Sequence, residues 1–170
     1  MTTQPKIDRT ARRNQLVRES FEQVESKSAI ASLVFYQRLF TLDPSLRALF
    51  RHDIEQQGEK LMQALKFAVA TLEQPRELQS ALEALGRRHV YYGVKECHYD
   101  TVGIALLHAL EHLLGPAFTP EVKEAWLAIY TLVAETMKCA AAKAGAGMSG
   151  TAAAVTGLAN DDTRAPGDSE

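Results

Sequence analysis

A histidine closes one apolar stripe of the sequence, at a place where leucine or alanine would normally stand. Leu78, Leu82, Leu85 and His89 have the spacing of a single helix face. A histidine on such a face needs a partner, and two interpretations stay open. Its ring could bond a backbone carbonyl one turn back, as core histidines do, or a neutral imidazole could ligate a metal in an apolar pocket.

A second group of polar side chains precedes this stripe. Gln57, Lys60 and Leu61 are three and four residues apart, so one helix face presents an amide, an ammonium and an apolar side chain. This pattern is typical of a helix boundary with a lysine stem lying along apolar surface, but the amide could also touch a ligand while the ammonium reaches an anionic group. Tyr36 ends an apolar run, so its hydroxyl should be buried and needs a partner, in the simplest case a core carbonyl.

One motif points to a different chemistry. His108-Ala109-Leu110-Glu111-His112 matches H-x-x-E-H, in which two histidines bind zinc and the glutamate acts as the base of a hydrolase. Such a site needs a third protein ligand and a large cleft, for which a chain of this size leaves little room. A zinc hydrolase is therefore a minor alternative.

Length and charge bound the remaining possibilities. The chain has 170 residues, 46% of them hydrophobic, and a net charge of −2. This is the size of one domain, and the acidic balance disfavours a general nucleic-acid binder. The absence of long apolar runs predicts no membrane span, and the polar N-terminus disfavours a secretory signal, so we expect a cytoplasmic protein. Cys97 and Cys139 fit no C-x-x-C spacing and suit a reducing compartment.

Helical periodicity recurs along the chain and strand alternation does not, which predicts an all-α fold. Asp43-Pro44 and Thr119-Pro120 mark two helix starts, each with a capping side chain before a proline. The stripes predict six longer helices and a short one near Leu46 to Phe50. We expect a flexible N-terminus over 1–7, a folded domain over 8–143 and a flexible tail over 144–170, because the tail is rich in Gly, Ala and Ser.

Taken in order, these residues resemble the globin family, in particular bacterial single-domain haemoglobins similar to flavohaemoglobin haem domains, and also neuroglobin-type globins. The likeness covers about residues 10–140 and implies a three-over-three helical sandwich around haem b, iron protoporphyrin IX. It rests on Tyr36-x-x-Leu39-Phe40, Asp43-Pro44, Leu49-Phe50, Lys60-Leu61-Met62, Leu85-Gly86-Arg87-Arg88-His89-x-x-Tyr92-Gly93-Val94, His98-Tyr99-x-x-Val102-Gly103, Leu114-Gly115-Pro116-Ala117-Phe118-Thr119 and Ala125-Trp126-x-x-x-Tyr130.

The resemblance implies a role for each matching residue. His89 would be the proximal iron ligand, with Tyr36 and Gln57 as the catalytic pair on the distal side. The implied haem contacts are Phe50 on the haem face, Lys60 near a propionate, Leu61 at the ligand site, and Leu85, Val94, Tyr99 and Val102 around the ring.

The implied activity is binding of dioxygen, carbon monoxide and nitric oxide at an open distal site. Hydrogen bonds from Tyr36 and Gln57 would slow oxygen release, and a glutamine coordinates iron poorly, which leaves the sixth position open. We expect a role in nitric oxide detoxification, of the nitric oxide dioxygenase type, with an external reductase as electron donor. A non-catalytic oxygen carrier or store and a haem-based gas or redox sensor are the alternatives.

Two departures from the flavohaemoglobin pattern bear on this expectation. Those proteins usually have a proximal His-Glu-Tyr network; Tyr99 matches the tyrosine, but Ala141 stands where the acid is expected, and the nearest acid is Glu135. The push of electron density that favours peroxidase-like chemistry is therefore not expected. We also expect no flavin or nicotinamide domain in this chain, and a homodimer is expected by analogy alone.

Overall fold

The computed structural model describes residues 7–50 and 53–156, and they fold into six α-helices joined by short connections. The helices are α1 (Ile7–Glu25), α2 (Ser28–Leu42), α3 (Ile54–Ala70), α4 (Pro75–Tyr91), α5 (Glu96–Leu114) and α6 (Pro120–Thr156). Two short 3-10 helices, Pro44–Leu49 and Gly115–Ala117, precede α3 and α6. No strand occurs in the described ranges, so the all-α prediction is confirmed there.

The two predicted helix starts are confirmed by their capping bonds. The Asp43 carboxylate accepts from the Ser45 amide at 3.0 Å, and Pro44 opens the first 3-10 helix. Thr119 Oγ1 accepts from the Val122 amide at 3.3 Å at the start of α6. Both caps satisfy amides that would otherwise lack a partner at the helix end.

Helix α2 packs against α3 and α5, and α6 packs against α1, α4 and α5. The most extensive packing is between α4 and α6 and between α2 and α5. A glycine makes the first of these possible: a Cβ atom on Gly86 would lie 2.9 Å from Met137 Cα. On α5, a Cβ atom on Gly103 would lie 3.0 Å from Tyr130 Cδ1. The two glycines therefore set the spacing of α6 from α4 and from α5.

A buried hydrogen bond joins the first and last helices. Trp126 is almost fully buried, and its Nε1 donates to Ser20 Oγ at 2.8 Å. The Ser20 hydroxyl in turn donates to the Leu16 carbonyl at 2.6 Å. Both polar groups are thus satisfied inside the core, as buried groups must be.

The C-terminal boundary differs from the prediction. Helix α6 continues to Thr156, so residues 144–156, expected to belong to a flexible tail, are helical. The reason is the alanine content of this stretch, since alanine has the highest helix propensity and the glycines lower it only in part. The rest of the predicted tail and residues 1–6 of the predicted N-terminus lie outside the described residues, whereas Ile7 already belongs to α1. No described helix is long and apolar enough to cross a membrane.

Candidate functional site

The ring of His89 is held by its own helix. Its Nδ1 atom lies 2.9 Å from the Leu85 carbonyl oxygen, one turn back in α4. A carbonyl only accepts, so Nδ1 carries the proton and the lone pair of Nε2 is left for another partner. Burial lowers the pKa of the imidazole and so favours its neutral form. The hydrogen bond to Leu85 acts in the opposite direction but is the smaller effect. The two interpretations of His89 are therefore compatible: the bond to a carbonyl prepares the ring to ligate a metal.

An apolar cavity of about 220 Å³ opens beside His89. It lies between α2, α3, α4, α5 and α6, and leucine, valine and aromatic side chains dominate its walls. Of the ten predicted site residues it brings together seven: Phe50, Leu61, Leu85, His89, Val94, Tyr99 and Val102. One neutral imidazole in an apolar cavity is the donor set that a haem needs, since the macrocycle is apolar and its iron takes an axial histidine.

Three predicted site residues do not line this cavity: Tyr36, Gln57 and Lys60. Lys60 is exposed on α3, and Gln57 is half-buried one turn before Leu61. Tyr36 is buried in α2, and its hydroxyl donates to the Gln57 backbone carbonyl at 3.3 Å. The predicted distal pair is thus in contact, but through the main chain of Gln57.

Aromatic rings fix the position of Tyr36 next to the cavity. Its ring meets the edge of Phe50 with centroids 5.3 Å apart and the edge of Phe35 at 5.0 Å. Phe50 itself packs against Phe40 at 5.6 Å and closes the 3-10 helix that follows α2. Burial raises the pKa of Tyr36 to about 12, so this phenol keeps its proton at physiological pH.

The far side of His89 is aromatic and lacks a carboxylate partner. The Tyr99 ring stacks on the imidazole at 6.3 Å, and Tyr130 donates a hydrogen bond to the Tyr99 carbonyl. The buried Tyr99 hydroxyl has no hydrogen-bond partner among the described residues. Glu135, the nearest acid by sequence, pairs instead with Lys138 at 2.6 Å. The described residues therefore contain no His-Glu-Tyr network.

Sequence reasoning missed His98, which also lines the cavity. Its Nδ1 accepts a hydrogen bond from the Lys95 amide at 3.0 Å, which caps the start of α5. With Nδ1 as acceptor, the donor nitrogen of the His98 ring is Nε2. Local sequence did not reveal this bond, because a capping box is marked by Ser or Thr before Glu or Gln, and here the pair is Lys95 and His98.

The other candidate chemistries gain no support from the described residues. His108, Glu111 and His112 are all exposed on α5, and no group of three or more metal-ligating side chains is found in the described ranges. A second, more open groove of about 590 Å³ lies along α1, α4 and α6. Its walls contain no histidine or cysteine, so we place the candidate site in the smaller cavity.

Comparison with known proteins agrees with this geometry. The globin family model matches residues 33–137. The chain is similar to the neuroglobin of Danio rerio, with 32% identity over 76% of this chain and 91% of that protein. The neuroglobin of Dissostichus mawsoni is also 32% identical, over 77% of this chain and 91% of that protein.

Two solved structures share the fold. One is an engineered carbene transferase made from a provisionally named nitric oxide dioxygenase of Rhodothermus marinus, with a TM-score of 0.74 and 30% identity over 84% of this chain and 97% of that chain. The other is a hexacoordinated haem protein of an anhydrobiotic tardigrade, with a TM-score of 0.71 and 18% identity over 77% of this chain and 94% of that chain. The second likeness bears on the fold alone. The chain belongs to the globin family, with its three-over-three all-α fold, and is a haem-based gas-binding protein.

Proposed function

We propose that this globin binds dioxygen, carbon monoxide and nitric oxide at an open haem b site, and that it converts nitric oxide and dioxygen to nitrate with electrons from an external donor. The observation that carries this proposal is the buried hydroxyl of Tyr36, held beside Phe50 and bonded to the Gln57 carbonyl at 3.3 Å. This geometry supports a role for Tyr36 as a phenol donor beside the predicted gas site. The name of the Rhodothermus marinus relative supports the same activity.

The residues for holding haem are those of the apolar cavity. Nε2 of His89 would take the iron, and Phe50, Val94 and Val102 would pack against the macrocycle. The sequence has no C-x-x-C-H motif for covalent attachment, which favours haem b over a c-type haem. Lys60, exposed on α3, would reach a propionate from outside the cavity.

Ferrous haem would supply gas binding and the single electron that nitric oxide plus dioxygen requires to become nitrate. The protein's part is to hold a proton near the bound gas. The Tyr36 bond to Gln57 is long for an O–H···O bond, so the hydroxyl would exchange this partner for a better acceptor in the adjacent cavity while keeping its proton. A hydrogen bond to partly charged dioxygen would slow the release of dioxygen and keep it in the site until nitric oxide arrives.

The distal residue types favour an open sixth position. Gln57 carries an amide, which coordinates iron poorly compared with an imidazole. Among the described residues, the cavity walls contain two imidazoles, His89 and His98. Nδ1 of His98 is occupied by the Lys95 amide, and this bond ties the ring to the start of α5.

The similarity to neuroglobins supports a second candidate, a gas carrier, store or sensor without turnover. The Tyr99 hydroxyl has no partner and His89 bonds no carboxylate among the described residues, which favours either candidate over peroxidase-like chemistry. A cytoplasmic location and a homodimer stay predictions, the latter to be checked by gel filtration.

Two measurements on the purified, haem-loaded protein test the proposal. Reduction by dithionite should give a broad visible band, and carbon monoxide should then shift the Soret band at once. Sharp paired bands after reduction would instead indicate an internal sixth ligand and contradict the open site. The oxygen-loaded protein should then consume one equivalent of nitric oxide and release nitrate, repeatedly if a reductase is supplied. If the added nitric oxide stays unreacted, the dioxygenase proposal is wrong and the carrier or sensor role is favoured.

A further inference from the structure

Exposed cations and tyrosines surround the C-terminal end of α4. Arg87, Arg88, Tyr91, Tyr92 and Lys95 are all exposed, the two tyrosines to 73% and 60%. We call these five residues the Arg87–Lys95 face. On the helix each arginine precedes a tyrosine by four residues, which makes them neighbours on the surface. Gly93, with φ of 79°, then turns the chain so that Lys95 follows at the start of α5.

The face is positively charged in a chain that is negative overall. The segment 84–95 contains three cations and no carboxylate, although the net charge of the protein is −2. None of these three cations forms an ion pair within the described part of the chain. Their charge is thus available to a partner.

The carboxylates of Glu96 and Asp100 on α5 and of Glu135 on α6 act on another cation, Lys138. Glu135 accepts a hydrogen bond from Lys138, and together with the charges of Asp100 and Glu96 this bond raises the pKa of Lys138. On the other side in sequence, Glu83 accepts from the Gln79 amide at 2.9 Å. Among the described residues, no ion pair joins any of these carboxylates to Arg87, Arg88 or Lys95.

The face is also close to the predicted iron ligand. The Tyr92 ring is 60% exposed, yet its centroid lies 6.0 Å from that of His89. Only the Tyr92 ring would therefore separate the imidazole from a molecule bound to the outer side of Tyr92. Exposed tyrosines flanked by arginines have the composition of protein interfaces, and the positive charge would speed association with an acidic surface.

We propose that the Arg87–Lys95 face docks an acidic electron-transfer protein whose reduced flavin or iron–sulfur cluster gives one electron to ferric haem. The step forms and breaks no bond: the flavin or cluster loses one electron and the iron gains it. This inference rests on the proposed function, because sustained nitric oxide conversion needs such a donor.

The sign of a salt effect tests the face directly. The photogenerated FMN semiquinone carries an anionic phosphate, whereas the lumiflavin semiquinone has the same reacting ring and is neutral at pH 7. A protein of net charge −2 repels an anion, so added salt would speed reduction by FMN, whereas attraction by the face makes salt slow it. We expect slowing for FMN and no salt effect for lumiflavin, measured as second-order rates of haem reduction.

Matched charge reversals locate the effect. R87E/R88E should lower the FMN rate about tenfold or more at low salt and leave the lumiflavin rate within about twofold. R76E/K123E makes the same change in net charge at exposed sites elsewhere, with Arg76 about 16 Å from Arg87 along α4, and should change the FMN rate far less. Equal losses in both double variants would overturn the proposal.

A binding measurement supplies a second readout. Titration of the ¹⁵N-labelled protein with an acidic [2Fe–2S] ferredoxin should shift the amide signals of 87–95, and more weakly as salt is added. Shifts centred elsewhere would overturn the proposal, as would loss of haem from R87E/R88E, which would make the arginines haem anchors. The stoichiometric reaction of the oxygen-loaded protein with nitric oxide needs no partner, so failure of the proposed function is separately visible.

Discussion

Nδ1 of His89 lies 2.9 Å from the Leu85 carbonyl oxygen, so the imidazole is tied to the helix that carries it. The bond fixes the tautomer and points the unprotonated nitrogen away from its own backbone. A carbonyl partner is thus no argument against a ligand role, because it leaves one nitrogen to bind metal.

Removal of this imidazole tests the cofactor assignment. His89→Ala should lose stable haem binding, since no other described side chain of α4 offers a ligand to the cavity, and added imidazole should restore part of the Soret band. His98→Ala is the control, because His98 lines the same cavity but bonds the Lys95 amide. An unchanged spectrum in His89→Ala would show that the iron has another ligand.

Tyr36→Phe tests the distal donor. A hydrogen bond to a charged acceptor contributes about 1.5–3 kcal/mol, so its loss should raise the oxygen dissociation rate by roughly 10- to 100-fold. Stopped-flow displacement of oxygen by carbon monoxide measures this rate. Tyr91→Phe, at an exposed tyrosine, should leave it unchanged. Equal rates in Tyr36→Phe and the native protein would mean that the hydroxyl stays on the Gln57 carbonyl.

Tyr99→Phe should increase the stability of the haem-free protein. Its hydroxyl is buried with no described partner, and an unsatisfied buried hydroxyl costs about 1–3 kcal/mol, so its removal should raise the free energy of unfolding by about 1 kcal/mol. Urea denaturation measures the change. In the haem-loaded protein the iron–histidine stretching frequency should stay the same. A loss of stability would reveal a hydrogen bond to that oxygen.

The close packing at Gly86 of α4 can be tested by comparison with Gly145 of α6, which has open space around it. Gly86→Ala would place a methyl group against the main chain of Met137, and overpacking of this kind costs about 1–3 kcal/mol. Gly145→Ala meets nothing within 4 Å and lies in a helix, so it should stabilise by up to about 1 kcal/mol. The midpoint of thermal unfolding should therefore fall in Gly86→Ala and rise in Gly145→Ala. A change in the same direction in both variants would contradict the close packing of Gly86 on Met137.

Ser20→Ala should be costly for so small a change. It removes the acceptor of the buried Trp126 N–H and leaves that group unsatisfied, at about 1–3 kcal/mol. Ser26→Ala is the control, because Ser26 is exposed in the turn after α1 and its hydroxyl donates only to the nearby Gln23 carbonyl. Urea midpoints of the two variants give the comparison, and similar small losses would mean that Trp126 has another acceptor.

Local sequence patterns predicted the helices, and the resemblance to globins predicted much of the cavity wall. Asp43 and Thr119 mark helix starts through local chemistry that needs no distant contact. His89 stands out because an imidazole interrupts an apolar stripe. These features depend on neighbours within one or two turns, which spacing alone describes.

Side-chain partners across helices could not be predicted in this way. The hydroxyl of Tyr36 bonds the carbonyl of Gln57 instead of its amide, and spacing along α3 does not say which group of a residue faces α2. The bond from Trp126 to Ser20 joins residues that are 106 positions apart in the sequence. Helix α6 passes its expected end because the stretch is rich in alanine, whose helix propensity is high.

The close approach at Gly86 has a consequence for finding this site in other chains. A side chain at that position would push α4 away from α6, and the imidazole three residues later would move with its helix. Many apolar residues could replace the leucines and valines of the wall without moving that ring. A glycine three residues before a histidine therefore marks the helix packing that positions the imidazole. A search for further globins should weight this pair above the hydrophobic pattern around it.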